Sequence, residues 1–321
     1  MKLYLVIPCY NEEEVLPETA LRLEEKLCSL IDQEKIDRDS RIVFVNDGSH
    51  DHTWEMICEL HNKNKLFRGI ALSRNRGHQN ALLAGLMTVK DECDAVISMD
   101  ADLQDDIHAI DAMLEKYEQG YDVVYGVRSS RKKDTLFKRT TAQAFYRLMR
   151  AMGVESVYNH ADYRLMSRRA LNGLAAFGEV NLFLRGIVPL VGFRSTTVPY
   201  ERGERFAGKS KYPLKKMLAF ALEGITSLSV KPIRMIATLG LLIFLGSIGM
   251  AIWSVTRFFM GYTVDGWASL AVSIWALGGI QLLAIGVIGE YIGKIYLETK
   301  HRPTFLISDY LSDKNEDESD L

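Results

Sequence analysis

The sequence predicts an α/β domain with a mostly parallel sheet, followed by a hairpin of two membrane-crossing helices. Three observations lead there. Residues 1–130 alternate short β-rich runs with longer amphipathic ones. Each β-rich run stops at a cluster of polar residues, and two long charge-free stretches lie near the C-terminus. Strands that alternate with helices call for right-handed crossovers, which build a parallel sheet covered on both faces.

The first strand candidate is 3–7, directly after Met1-Lys2 and ended by Pro8. It is too short for a signal-peptide core, so it reads as a buried strand and the front of the chain is expected in the cytoplasm. Further strand candidates are 41–45, 69–72, 95–99 and 123–125, with helix candidates 12–30, 53–62, 79–89 and 107–119 between them. Ligands bind such sheets beyond the carboxyl ends of the strands. Here those ends run into Pro8-Cys9-Tyr10-Asn11-Glu12, Asn46-Asp47-Gly48-Ser49, Ser73-Arg74-Asn75 and Asp100-Ala101-Asp102, which points one rim at a shared site.

A basic stretch at 128–133 precedes a basic amphipathic helix over 137–152, suited either to an anionic membrane surface or to packing on the sheet. A second amphipathic segment covers 214–230, and Pro232 suits the first turn of the next helix. Residues 235–256 and 266–289 carry no charge, and each run exceeds the roughly 20 residues needed to cross a bilayer. Gly246, Gly249, Gly278, Gly279 and Gly286 would let helices approach closely, as in an oligomer. Lys209, Lys211, Lys215, Lys216, Lys231 and Arg234 precede the pair, and Lys294, Lys300 and Arg302 follow it, while 258–265 has no basic residue. Both termini are therefore expected in the cytoplasm. The expected layout is a catalytic domain over 1–212, an amphipathic juxtamembrane helix over 213–232, spans over 233–260 and 266–297, and an acidic cytoplasmic tail over 298–321, disordered after Ser308.

A net charge of −2 argues against bulk nucleic-acid binding. Cys9, Cys28, Cys58 and Cys93 show no metal-ligand spacing and read as free buried thiols.

The chemistry-bearing residues sit at the predicted rim. Asp100 and Asp102, two carboxylates at a strand end, suit a hard cation shared with phosphate oxygens, and Gln104 and Asp105 lie within reach. Asp47 can accept hydrogen bonds from a base or ribose, or serve an Asx turn or helix cap. Tyr10 offers a ring for a nucleobase. Asn11 and Glu12 suit a helix cap and its first turn. The loop Arg74-Asn75-Arg76-Gly77-His78 suits a phosphate or sugar contact, with His78 either there or simply a loop residue. Asp162 can orient or deprotonate an acceptor, or be structural beside Arg164. Arg202, Arg205, Gly208, Lys209, Ser210 and Lys211 suit a diphosphate leaving group or lipid head groups.

Together these stretches resemble glycosyltransferase family 2 with the GT-A fold, and within it the polyprenyl-phosphate glycosyltransferases, including bactoprenol glucosyltransferases and dolichol-phosphate mannose synthases. The resemblance rests on Val6-Ile7-Pro8-Cys9-Tyr10-Asn11-Glu12, Val45-Asn46-Asp47-Gly48-Ser49, Gly77-His78-Gln79, Met99-Asp100-Ala101-Asp102-Leu103-Gln104-Asp105, Ala161-Asp162-Tyr163-Arg164-Leu165 and Arg205-x-x-Gly208-x-Ser210-Lys211-Tyr212. Their order and spacing span nearly the whole chain. Ile107 departs from the pattern, since many relatives carry a proline soon after the Gln-Asp pair.

The resemblance implies roles. Pro8, Tyr10, Glu12, Asp47, Asp100 and Ala101 would line the nucleotide-sugar, with Arg205 and Lys211 closing over its diphosphate. Asp100, Asp102 and Gln104 would hold Mg2+ or Mn2+. Arg128 and Arg131 would meet the acceptor phosphate, with Asp162 beside it and, like Asp102, counted as catalytic. The implied reaction is inverting transfer of glucose from UDP-glucose to undecaprenyl phosphate at the cytoplasmic face of the membrane. Alternatives are N-acetylglucosamine, another UDP-sugar, or mannose from GDP-mannose. A processive polysaccharide synthase would need more spans and Gln-x-x-Arg-Trp, which is missing, and a non-catalytic membrane scaffold would tolerate loss of the acidic pair, which is present.

Overall fold

The computed structural model describes residues 1–129, 152, 160–180, 183–201, 203, 225–227, 229–260 and 267–312. Two compact units emerge: Met1–Tyr146 with Glu155–Pro213 and Arg302–Leu321, and Arg147–Val154 with Leu214–His301.

The first unit is built on an eight-stranded sheet. Its elements are β1 (Leu3–Cys9), α1 (Leu16–Asp32), β2 (Arg41–Asn46), α2 (Thr53–Lys63), β3 (Phe67–Leu72), α3 (His78–Val89), β4 (Ala95–Ser98), α4 (Ala109–Glu118), β5 (Val123–Arg128), β6 (His160–Ser167), α5 (Arg168–Ala175), α6 (Leu184–Leu190), β7 (Ser195–Tyr200) and, far along the chain, β8 (Ile307–Leu311). The spatial order is β7-β5-β6-β4-β1-β2-β3-β8. Six strands run the same way; β6 and β8 run against them. This is the α/β sheet the sequence predicts, with both exceptions outside the region where strands and helices alternate.

Burial explains the local choices. Every residue of β1 is buried, as a strand covered on both faces requires. Pro8 is tolerated in this central strand because the β1–β4 ladder ends at Val6–Ser98, so no β4 partner needs its missing N–H. Helix α1 buries Leu16, Thr19, Ala20, Leu23, Leu27 and Leu30, a single stripe at helical spacing.

All five strand and four helix candidates of the first 130 residues are present, with shifted ends. The largest shift is at α1. It starts at Leu16 rather than residue 12 and has no side-chain cap. The cap expected of Asn11 is therefore corrected, since its Oδ1 accepts from the His50 amide at 2.9 Å. Glu12 precedes the helix rather than lying in its first turn, with its amide on Thr53 Oγ1 at 3.0 Å and its carbonyl accepting the Val15 and Leu16 amides. Disorder does not begin at Ser308, because residues through Leu311 pair with β3. Cys9 and Cys93 are buried free thiols as expected, whereas Cys28 is exposed and Cys58 half-buried.

The second unit contains α7 (Lys231–Phe259) and α8 (Trp267–Thr299), over the two charge-free runs. Their described apolar side chains face outward; Leu282 is 72% exposed. Among the described residues, Leu277–Thr299 is the one segment meeting a length-and-apolarity criterion for crossing a membrane. The basic helix expected over 137–152 and most of 214–230 lie outside the described residues.

Candidate active site

Because β6 runs antiparallel to β4, its first residues reach the rim where β4 ends. The register pairs Ser98 with Arg164, which sets Asp162 level with Asp100 across the two strands. The Ser98 hydroxyl fixes this edge by donating to the Asp162 carbonyl at 2.5 Å.

His78, the first residue of α3, stands between the two carboxylates. Its Nε2 lies 3.6 Å from Asp100 Oδ1 and 3.6 Å from Asp162 Oδ2. Burial works against its charged form, but Asp162 and Asp100 outweigh that and raise its pKa.

Two guanidiniums hold Asp162. Arg164 Nη2 donates to Oδ1 at 2.8 Å, and Arg185, from α6, forks onto both oxygens at 3.3 and 3.0 Å. Arg164 and Asp162 are two residues apart on one strand and so share a face. Burial pushes the Asp162 carboxyl up, but Arg185, His78 and Arg164 together hold it well below the usual carboxylate range. A carboxylate so stabilised is a poor proton acceptor. The Asp162 carboxylate is thus held charged by Arg185, His78 and Arg164. Arg164 is 1% exposed, and its Nε and Nη1 have no hydrogen-bond partner among the described residues. The Asp162–Arg164 pair is buried among the described residues.

The acidic turn after β4 is pinned from several sides. Buried Ala101 accepts the Thr19 hydroxyl at its carbonyl, 2.8 Å away. Asp102 Oδ1 accepts from the Gln104 amide at 3.2 Å, and the Gln104 carbonyl accepts from Gly203 at 2.9 Å. Leu103 sits at φ 56°, a conformation that disfavours a branched side chain. Asp105 accepts the Tyr200 hydroxyl at 2.6 Å, and Arg128 Nε donates to the same hydroxyl at 3.4 Å. Burial and neighbouring Asp100 push the Asp105 carboxyl up to about 6. Burial also raises Asp100, which His78 opposes and Asp162 and Asp102 reinforce.

That accumulation of carboxylates suits a divalent cation. Asp100 and Asp102 offer hard oxygen donors in a partly desolvated acidic turn, where a cation would offset their mutual repulsion. Among the described residues no group of three His, Cys, Asp or Glu side chains could hold a metal by itself. Asp100, Asp102 and Gln104, the ligands expected from the sequence, lie together on the turn that follows β4.

At the end of β1, Tyr10 is 42% exposed, in edge contact with His50 at 6.4 Å between ring centres. Glu12 follows it, with its amide held by Thr53. Pro8 is buried in β1. Asp47 is 2% exposed, and its two oxygens accept the Arg76 and Gly77 amides at 2.6 and 2.9 Å. Its observed contacts are thus with the distant loop before α3, a role other than the Asx turn or helix cap weighed for it.

The Gly77-His78-Gln79 triplet gains a mechanical meaning. Gly77 is tied to Asp47, His78 faces the carboxylates, and Gln79 Oε1 accepts the Leu184 amide at 2.9 Å, anchoring the start of the helix that carries Arg185. Arg131, Arg205 and Lys211 lie outside the described residues. Sequence reasoning missed Arg185 and Tyr200. The readable signal for Arg185 was a lone arginine inside the apolar run Phe183-Leu184-Arg185-Gly186-Ile187-Val188.

The site is an acidic turn at the end of β4 on a rim formed by β1, β2, β4 and β6. Residues 4–174 match glycosyl transferase family 2, and the chain belongs to that family. It is 55% identical to an uncharacterized glycosyltransferase, YkoT, of Bacillus subtilis, over 95% of this chain and 90% of that one. It is 41% identical to a bactoprenol glucosyl transferase of Shigella phage SfV, over 96% and 98% of the two chains. Among solved structures, a mannosyltransferase of Pyrobaculum calidifontis in complex with GDP-Man and Mn2+ is similar at a TM-score of 0.42 and 16% identity, over 92% and 84% of the two chains.

Proposed function

We propose that this glycosyltransferase moves glucose from UDP-glucose to undecaprenyl phosphate at the cytoplasmic face of a membrane, with inversion at the anomeric carbon. The observation that carries the reading is the near-full-length identity of 41% to a bactoprenol glucosyl transferase. The site geometry supports it.

Tyr10 and Glu12 line the nucleoside, with Asp47 shaping that side of the site through the 76–77 amides. Asp100, Asp102 and Gln104 hold Mg2+ or Mn2+. When bound, the cation supplies neutralising charge for the departing diphosphate. Arg205 and Lys211 add cationic contacts to the same group, and Arg128 and Arg131 receive the acceptor phosphate. That phosphate is already an anion, so the reaction asks for positioning rather than a strong base. The low proton affinity of Asp162 supports this division of labour. Asp162 instead fixes Arg185 and His78 at the rim.

The lipid acceptor explains the second unit. Each CH2 drawn from a bilayer into water costs about 0.8 kcal/mol, so the active site has to work at the membrane surface. The helices α7 and α8 form a membrane hairpin with both ends in the cytoplasm, supported by the basic residues that flank the pair and are missing between them.

The test is a panel of labelled nucleotide-sugars offered to the purified protein with undecaprenyl phosphate and either metal. Organic-extractable label from UDP-glucose is expected. Label from UDP-N-acetylglucosamine or GDP-mannose alone would replace the sugar assignment. Equal label with undecaprenol in place of its phosphate would overturn the acceptor assignment.

A further inference from the structure

We propose that residues 303–311, which follow the last long helix, are a strap that positions the active-site loop 73–78. This rests on the transferase reading for its catalytic consequence, but not for its structural one.

The loop between β3 and α3 has no regular structure of its own, yet it must place His78 between Asp100 and Asp162. Two of its anchors come from the end of β2. The Asp47 carboxylate takes the Arg76 and Gly77 amides. Gly48, at φ 63°, lets the loop backbone pass so close that a Cβ there would lie 2.6 Å from the Asn75 nitrogen. The other two anchors come from the strap. The Leu306 carbonyl accepts the Ser73 amide at 2.9 Å, and the Pro303 carbonyl accepts Arg76 Nη2 at 3.3 Å. The loop is thus held at 73, 76 and 77 from two sides, directly before His78, and packed close against Gly48 at 75.

The strap is itself well fastened. Gly69–Leu311, Ile70–Tyr310, Ala71–Asp309 and Leu72–Ile307 pair as an antiparallel ladder, with a register shift between Ala71 and Leu72 where the strap turns from β3 toward the loop. The Ser308 hydroxyl donates to the Ala71 carbonyl at 3.2 Å. At the far end the Tyr310 hydroxyl meets both Glu92 oxygens at 3.2 and 3.3 Å and accepts from Arg68 at 3.3 Å, while Arg68 pairs with Glu92. Lys300, His301 and Arg302 alone separate the end of α8 from the strap. A strand that only closed a sheet edge would not need to send two backbone carbonyls beyond the ladder onto a catalytic loop. The sequence hides this role, because Ile307-Ser308-Asp309-Tyr310-Leu311 is a short run at the start of an acidic tail.

The experiment compares wild-type full-length protein with Ser308→Pro, which removes an amide and a hydroxyl from the strap, and with Tyr310→Phe, which removes the terminal fastening. Hydrogen exchange of 73–78 is read beside β2 as internal control, together with kcat and KM for transfer. In Ser308→Pro, exchange of 73–78 should rise at least tenfold with β2 unchanged, and kcat should fall at least tenfold while KM for the lipid phosphate stays within about twofold. Faster exchange confined to 307–311, with 73–78 and kcat as in wild type, would overturn the proposal. Equal acceleration of β2 and the loop would also overturn it, since the strap would then only stabilise the whole sheet. Should Ser308→Pro fail to fold, Tyr310→Phe decides: loop exchange at least threefold faster supports the strap, and wild-type exchange refutes it. A wild-type protein that makes no glycolipid from any donor would fail the transferase reading, and the exchange comparison would still judge the strap.

Discussion

Asp162→Asn tests the electrostatic core of the site. The change keeps shape and most hydrogen-bonding capacity but removes the charge that compensates Arg164, which is 1% exposed, and that pairs with Arg185. Breaking a buried ion pair by neutralising one partner costs about 3–5 kcal/mol, because the other charge is left stranded in a poorly polar interior. Arg185 adds little to this, since its side chain is 35% exposed and water can take over. In a domain of this size each kcal/mol lowers the melting midpoint by about 2–4 °C, so a fall of roughly 6–20 °C is expected. The stranded charge is the stated cause, so removing it should restore stability. Asp162→Asn with Arg164→Met should regain at least half of the lost midpoint, a coupling of about 2 kcal/mol. The assay is thermal unfolding in detergent followed by circular dichroism for the two single variants, the double variant and wild type. A single variant melting within 2 °C of wild type, or a double variant no more stable than Asp162→Asn, would refute the reasoning.

Three further outcomes are expected. Asp102→Ala should lower metal-dependent transfer at least a hundredfold, about 2.7 kcal/mol of transition-state stabilisation, with little change in melting; activity within tenfold of wild type would remove Asp102 from the metal set. Gly48→Ala should cost about 1–2 kcal/mol from its left-handed backbone alone, and more from the approach to Asn75, read as a lower melting midpoint and a higher KM for the donor. Asp111 lies between Lys26 and Lys35, and although burial pushes its carboxyl up, the two ammoniums hold it below the ordinary value. A depressed folded pKa means stability that is present above the unfolded value near 4 and is lost as pH falls through the lower folded value. Asp111→Asn should therefore melt lower than wild type at pH 7, with the difference shrinking below about pH 4; a difference that does not change with pH would contradict the pairing.

What was legible in the sequence follows a physical divide. Strands β1 to β5 and helices α1 to α4 were readable because each buries a continuous or periodic apolar set, as in the all-buried β1 and the single stripe of α1. The acidic pair at the end of β4 was readable because strand ends in such sheets make sites. Long-range pairing was not readable. The antiparallel placement of β6 brings Asp162 to Asp100, and no local pattern specifies which strand a segment will join. Likewise β8 joins β3 more than 230 residues away, where a five-residue run before an acidic tail gives a weak signal. Asn11 fitted a helix cap by residue type, but the turn at 49–53 engages it instead through Ser49 and His50, and α1 starts later.

The central claim is metal-dependent transfer of a sugar from a nucleotide to a lipid phosphate at the Asp100–Asp102 turn. The most direct measurement is the initial rate of labelled glycolipid formation from UDP-glucose and undecaprenyl phosphate, with and without chelator, for wild type and Asp102→Ala. Wild type with Mg2+ or Mn2+ should form glycolipid, and both chelation and the substitution should abolish it. Formation that survives chelation, or that Asp102→Ala leaves intact, would contradict the account.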